Sequence, residues 1–123
     1  MRVRPLRRLL ESALPLLPRP LPPDLAKIEV VLVDRATIAR VHADFFGDPS
    51  ETDVITFPYG EIVVCPAVAR EQAPRFGLEV GSEVLLYAVH GLLHLAGYDD
   101  RTEKEARAMA RIQRRILNGL NGR

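Results

Sequence analysis

At 123 residues, 47% apolar and 27% charged, the chain has room for one domain whose core buries roughly two-thirds of its unfolded surface. No apolar run approaches the ~20 residues of a membrane-spanning helix, and a lone cysteine, Cys65, excludes an internal disulfide framework and suits a reducing cytosol. The formal net charge is only +1, so attraction to a polyanion would have to come from a local arrangement of charge.

The opening stretch, MRVRPLRRLLESALPLLP, has the outline of an export signal. Glu11 and Pro15 interrupt its apolar part and no small-residue cleavage site follows, so a cytoplasmic chain is expected. Leu6, Leu9, Leu10, Ala13 and Leu14 carry the i, i+3, i+4, i+7 pattern of a helix with one apolar stripe. PLLPRPLPPD, residues 15–24, holds five prolines in ten positions and reads as an extended linker inside the domain. KIEVVLVD then reads as a strand, and Asp34 as the N-cap of a short helix through Ile38, Val41 and Phe45.

GDPSE is a loop. TDVITFP and GEIVVC are β-rich runs around the turn Pro58-Tyr59-Gly60, expected to pair antiparallel, with Cys65 a small apolar residue at the strand end. PAVAREQA opens a helix with Pro66 in its first turn. A further helix is expected to start at Gly81-Ser82 and to end at Gly97, in the left-handed conformation glycine tolerates. Thr102 and Glu105 form a capping box for a last helix with the stripe Ala106, Met109, Ile112 and Ile116, which Asn118-Gly119 should stop. This order predicts a small sheet with helices packed against it.

Charge is distributed unevenly. Residues 1–19 carry five arginines against one glutamate and residues 101–123 seven basic groups against two acidic, whereas residues 20–100 carry five basic and thirteen acidic groups. Arginine-rich ends around an acidic centre could steer a polyanion toward a cation-holding site; solvated helix faces account for the same pattern.

The stretch HGLLHLAGYDD, His90 to Asp100, concentrates the chemistry. His90 and His94 sit one turn apart on one helix face, a spacing that lets both imidazoles reach one metal ion. The reversal at Gly97 would bring back a third ligand, Asp100 in preference to Asp99, which otherwise favours the dipole of the last helix. Three protein ligands keep one position open for water, the catalytic pattern. Two buried, hydrogen-bonded core histidines would be the plain alternative. Two imidazoles and a carboxylate suit zinc, the default, and also iron, nickel or manganese. The spacing also fits the metzincin proteases with Asp100 in the place of their third histidine. Their general-base glutamate would fall at Gly91, which ranks a protease second.

HGLLHLAGYDD closely resembles the H-G-x-L-H-L-x-G-Y-D-H signature of the YbeY-type endoribonucleases, bacterial rRNA maturation factors. TDVITFP is similar to their T-D-V-L-S-F-P segment and GEIVVCPAVAREQA to their G-D-I-x-I-x-x-x-x-A-x-x-Q-A stretch, so the resemblance covers roughly residues 28–117. It implies an α+β fold with a small mixed sheet covered by helices and a zinc site on a central helix, with His90, His94 and Asp100 as ligands. It also implies a metal-dependent, single-strand-preferring endoribonuclease that trims small-subunit ribosomal RNA and works with the ribosome. Three departures stand out: Asp100 replaces a histidine, Phe46 stands where the family has an arginine before T-D-V, and the first helix begins almost at once where relatives have a leading strand. The missing arginine also suits a ribosome-associated factor whose metal is structural and whose nuclease activity has lapsed. Water and the RNA's own 2′-hydroxyl are both compatible nucleophiles, and no side chain is named as general base. Asp53 and Glu61 are candidates to line the cleft or meet a partner, or are exposed strand carboxylates. Tyr98 would stack on a base or pack as a lid over the core.

Overall fold

A computed structural model describes residues 3–25 and 27–121; the ends of the expected 1–123 domain and residue 26 lie outside the described residues. Helix α1, Val3–Ala13, buries Leu6, Leu10 and Ala13 on one stripe. The proline-rich segment does not start extended: Leu14–Leu16 makes a 3-10 turn, with Pro15 where a first-turn N–H has no partner to lose. Only from Leu17 does the chain extend.

Strand β1, Glu29–Leu32, leads to α2, Arg35–Phe46, capped by Asp34, whose carboxylate accepts the Thr37 N–H at 2.8 Å. Hydrogen bonding from the Thr37 side chain first, and then from its N–H, holds the Asp34 carboxyl below its usual value. Strands β2, Val54–Phe57, and β3, Glu61–Val64, form the expected antiparallel pair. β1 adds to the other side of β3 in parallel, giving the order β1-β3-β2 and leaving β2 at an edge. The sheet is therefore mixed. Cys65 is buried directly after β3, as the N-cap of α3, Pro66–Gln72, which runs on into a 3-10 turn at Ala73–Phe76.

Helix α4, Val80–Leu95, is the central helix. Ten of its residues are buried, and it packs on the sheet, α1, α3 and α5. It starts at Val80, one residue before the expected Gly81-Ser82, without a side-chain cap; packing, not capping chemistry, holds that end. Gly91 faces the sheet: a Cβ there would lie 2.7 Å from Ile62 Cγ2 and 3.0 Å from Thr56 Oγ1. The missing side chain brings the helix backbone down onto β2 and β3. The opposite face of the sheet has its own smaller core of Ile38, Ile55, Val63 and Cys65 beneath α2.

The capping box on α5, Glu103–Asn121, is formed reciprocally, Thr102 N–H to Glu105 Oε1 at 3.2 Å and Glu105 N–H to Thr102 Oγ1 at 3.1 Å. The helix does not stop at Asn118-Gly119. Leu120 is buried in the core, and a Cβ at Gly119 would come within 3.1 Å of Leu16 Cδ1. That glycine admits the 3-10 turn rather than ending the helix. No single helix among the described residues is long and apolar enough to cross a membrane.

Candidate metal centre

The site begins with how α4 ends. Gly97, at φ +100°, donates its N–H to the His94 carbonyl at 3.1 Å, and Tyr98 donates to Leu93 at 3.0 Å. These two bonds are the Schellman closure that left-handed glycine makes possible. They reverse the chain within three residues. The reversal places the Tyr98 carbonyl beside His94 and swings Asp100 back over the helix.

The three expected side chains converge. His90 Nε2 lies 3.1 Å from His94 Nε2 and 3.3 Å from Asp100 Oδ2, and His94 Nε2 lies 3.7 Å from the same oxygen. Asp99 is not part of this group: its Oδ2 pairs with Arg101 Nε at 2.9 Å and its Oδ1 accepts the Asp100 N–H at 2.8 Å. Of the two aspartates, Asp100 is therefore the one that stands with the histidines.

The outer nitrogens decide what the inner ones offer. His94 Nδ1 is 3.1 Å from the Tyr98 carbonyl, which only accepts, so Nδ1 carries the proton and a neutral His94 has a bare lone pair at Nε2. His90 Nδ1 faces Gln113 Oε1 at 3.0 Å, with the same consequence. With both imidazoles neutral in those tautomers, two ring lone pairs and a carboxylate oxygen point at one another. That arrangement is repulsive unless a cation lies between the groups. A proton bridges two of the three; a metal ion satisfies all of them.

The spacing fits such an ion. Ligands at 2.0–2.1 Å around tetrahedral zinc stand about 3.3–3.4 Å from one another, beside the 3.1, 3.3 and 3.7 Å found here. Among the described residues this is the group of His, Cys, Asp and Glu whose donor atoms all lie within 4.8 Å. The histidine side chains are about three-tenths exposed and Asp100 two-fifths. Their open side faces a cleft of about 810 Å³ between the end of α4 and the α2–β2 wall. A larger groove, about 990 Å³ beside α1 and β1, is apolar apart from charged rims and holds no such donor group among the described residues.

The remaining expected site residues separate. Asp53 does line the cleft, although its Oδ1 is occupied by the Val54 N–H at 2.7 Å. Glu61 stays outside the cleft and accepts the Tyr59 hydroxyl at 2.5 Å. Tyr98 packs against the core, the second of its two expected readings, and it also lines the cleft, with the Arg19 guanidinium 4.5 Å above its ring. Phe46 lines the cleft as well. Sequence reasoning missed Gln113. It lies 23 residues from its histidine, and its one signal is a polar residue beside the buried stripe of α5.

Set beside known proteins, the chain matches the sequence profile described as "Endoribonuclease YbeY" over residues 4–121. It is similar to the Endoribonuclease YbeY of Kineococcus radiotolerans, at 39% identity over 116 residues, covering 80% of this chain and 67% of that protein. The Endoribonuclease YbeY of Protochlamydia amoebophila is 40% identical over 105 residues, covering 76% and 70%. Among solved structures it resembles the solution structure of TM1509 from Thermotoga maritima, with a TM-score of 0.70 and 31% identity over 98% of this chain and 81% of that one. The chain belongs to the YbeY endoribonuclease family.

Proposed function

We propose that this chain is a metal-dependent endoribonuclease that prefers single-stranded RNA, matures the 3′ end of small-subunit ribosomal RNA and takes part in ribosome quality control. It works in the cytoplasm, as one domain, in contact with the small ribosomal subunit, and holds one divalent metal, Zn²⁺, through His90, His94 and Asp100. The observation that carries the proposal is the set of three bare donors converging at an open cleft, in a chain of this family.

A divalent cation at that point would supply Lewis acidity toward a phosphate oxygen and lower the pKa of water by many units, toward about 7. The residues do the positioning. Tyr98 and Gln113 fix both rings through Nδ1, so neither imidazole turns away from the cleft. Arg101 lines the same cleft, and Arg19 is held beside it over Tyr98, where guanidinium groups meet phosphate. No carboxylate follows His90. Gly91 lies against Ile62, and the 2.7 Å contact a Cβ would make leaves no room for a glutamate aimed at the cleft. The protease reading therefore lacks its base, and the attacking oxygen is that of water or of the RNA's own 2′-hydroxyl.

The test is an assay on a single-stranded fragment from the 3′ end of small-subunit rRNA, beside its duplex and beside casein. Cleavage of the single strand alone, lost with chelator and regained with zinc, is expected. Undiminished cleavage after complete removal of metal, or digestion of casein, would overturn the proposal.

A further inference from the structure

On the cleft wall facing the donor set, aromatic side chains continue outward onto open surface. Phe45, Phe46 and Tyr59 are 67%, 58% and 68% exposed. Phe57 joins them: Phe45 meets it edge-on at 5.0 Å, Phe46 lies at 6.5 Å, and Tyr59 stacks on it at 5.6 Å with 18° between the rings. We propose that Phe46, Phe57 and Tyr59 form a stacking subsite for the unpaired bases of single-stranded RNA. The inference rests on the endoribonuclease reading and adds where, and through which chemistry, the substrate is held beyond the scissile phosphate.

Three observations support it. The row begins inside the cleft, because Phe46 and its neighbour His42, 5.6 Å away, both line the space that the His90, His94 and Asp100 donors face. A strand with its phosphate there would pass Phe46 first. The row is also fixed in place. Phe45 and Phe46 close α2 just before left-handed Gly47, Phe57 is half-buried against the core under α2, and Tyr59 is tethered through its hydroxyl to Glu61. Side chains ordered in advance lose little entropy when a ligand arrives.

The charges suit bases better than phosphates on this wall. Asp44, Asp48 and Glu61 stand among the aromatics in the sequence and repel a phosphate backbone, whereas Arg101 belongs to the wall built after α4 and Arg19, from the proline-rich segment, lies over Tyr98 of that wall. An extended strand would lay its backbone toward the arginines and its bases on the rings. Every base has a stacking face, so such contact tolerates any sequence, and bases paired inside a duplex are not free to make it.

The test uses the intact, metal-loaded chain and a fluorescent 2′-O-methyl oligoadenylate, followed by anisotropy, with an abasic oligomer of equal length and charge beside it. A gel confirms that the probe stays intact. The oligoadenylate should bind more tightly than the abasic strand, and Phe46→Ala and Tyr59→Ala should each weaken it by about five- to a hundredfold. Tyr59→Phe, which keeps the ring and loses only the tether to Glu61, should weaken binding far less than Tyr59→Ala. Equal affinity for the two strands, or no loss in either alanine variant at an unchanged melting midpoint, would overturn the inference and leave the row to a protein contact. These readouts are independent of cleavage, so a failed metal or nuclease reading shows up separately, as absent metal or uncut rRNA.

Discussion

The two ends of α4 both bring polar groups into apolar surroundings, and they treat them differently. Near the start, Glu83 is 2% exposed and its Oε1 has no hydrogen-bond partner among the described residues. Tyr87 lies one turn on, and burial first, then the hydrogen bond to Glu83, push its hydroxyl pKa well up, so it remains a donor. That pair stays within the core. At the other end each imidazole has one nitrogen committed to a fixed acceptor and the other turned, bare, toward its neighbour and Asp100. A buried polar group is therefore not in itself a site. Convergence of bare donors, each locked from behind and open in front, is what distinguishes the C-terminal end.

The difference can be broken most severely at His94. His94→Ala should lose most of the bound metal and most RNA cleavage while the fold remains, because the side chain is part-exposed and outside the apolar core. Metal analysis and circular dichroism together check this, and normal metal content in that variant would dissociate the site from the chemistry. One residue earlier the effect should change kind. Leu93 is fully buried, so Leu93→Ala should cost about 2–5 kcal/mol in chemical denaturation.

Gln113 sharpens the comparison from a distance. Gln113→Leu removes the acceptor that fixes His90, and metal affinity should fall about 10–100-fold with little change in fold, read by competition with a chromogenic chelator. An affinity equal to wild type would mean that His90 is oriented by packing alone. The two aspartates should respond unequally: Asp100→His should retain metal, and Asp99→Asn should leave metal content unchanged. Loss of metal in the Asp99 variant would move the third ligand.

The smallest effect lies away from α4. Arg35 donates to Glu71 at 2.8 Å and holds its carboxyl below the ordinary value of 4.5. A depressed carboxyl contributes stability that is complete above that value and is lost as pH falls through its lowered folded pKa. Acid should therefore lower the wild-type melting midpoint slightly more than that of Arg35→Ala. An equal fall in both would show that the pair adds nothing.

What could be read from the sequence followed the reach of each interaction. His90, His94 and the turn at Gly97 lie within one helix and its reversal, where spacing alone fixes direction, and Asp100 follows from the same turn. The caps at Asp34 and Thr102 are equally local. Gln113 and the Tyr98 carbonyl were not legible, because one comes from another helix and the other is a backbone atom with no residue-type signature. The end of α5 was misplaced for a related reason. Gly119 reads as a stop until Leu16, from a turn a hundred residues earlier in the chain, is seen to need the space. The aromatic row was hidden in the same way, since Phe46 and Tyr59 meet only through Phe57.

The central claim is that two imidazoles and one carboxylate hold a single cation, and native mass spectrometry of the purified chain tests it most directly. One divalent ion per chain is predicted for the wild type, with none retained by the His90→Ala, His94→Ala double variant at an unchanged fold. A full complement of ion in that double variant, or a folded wild-type chain that takes up no divalent ion at all, would contradict it.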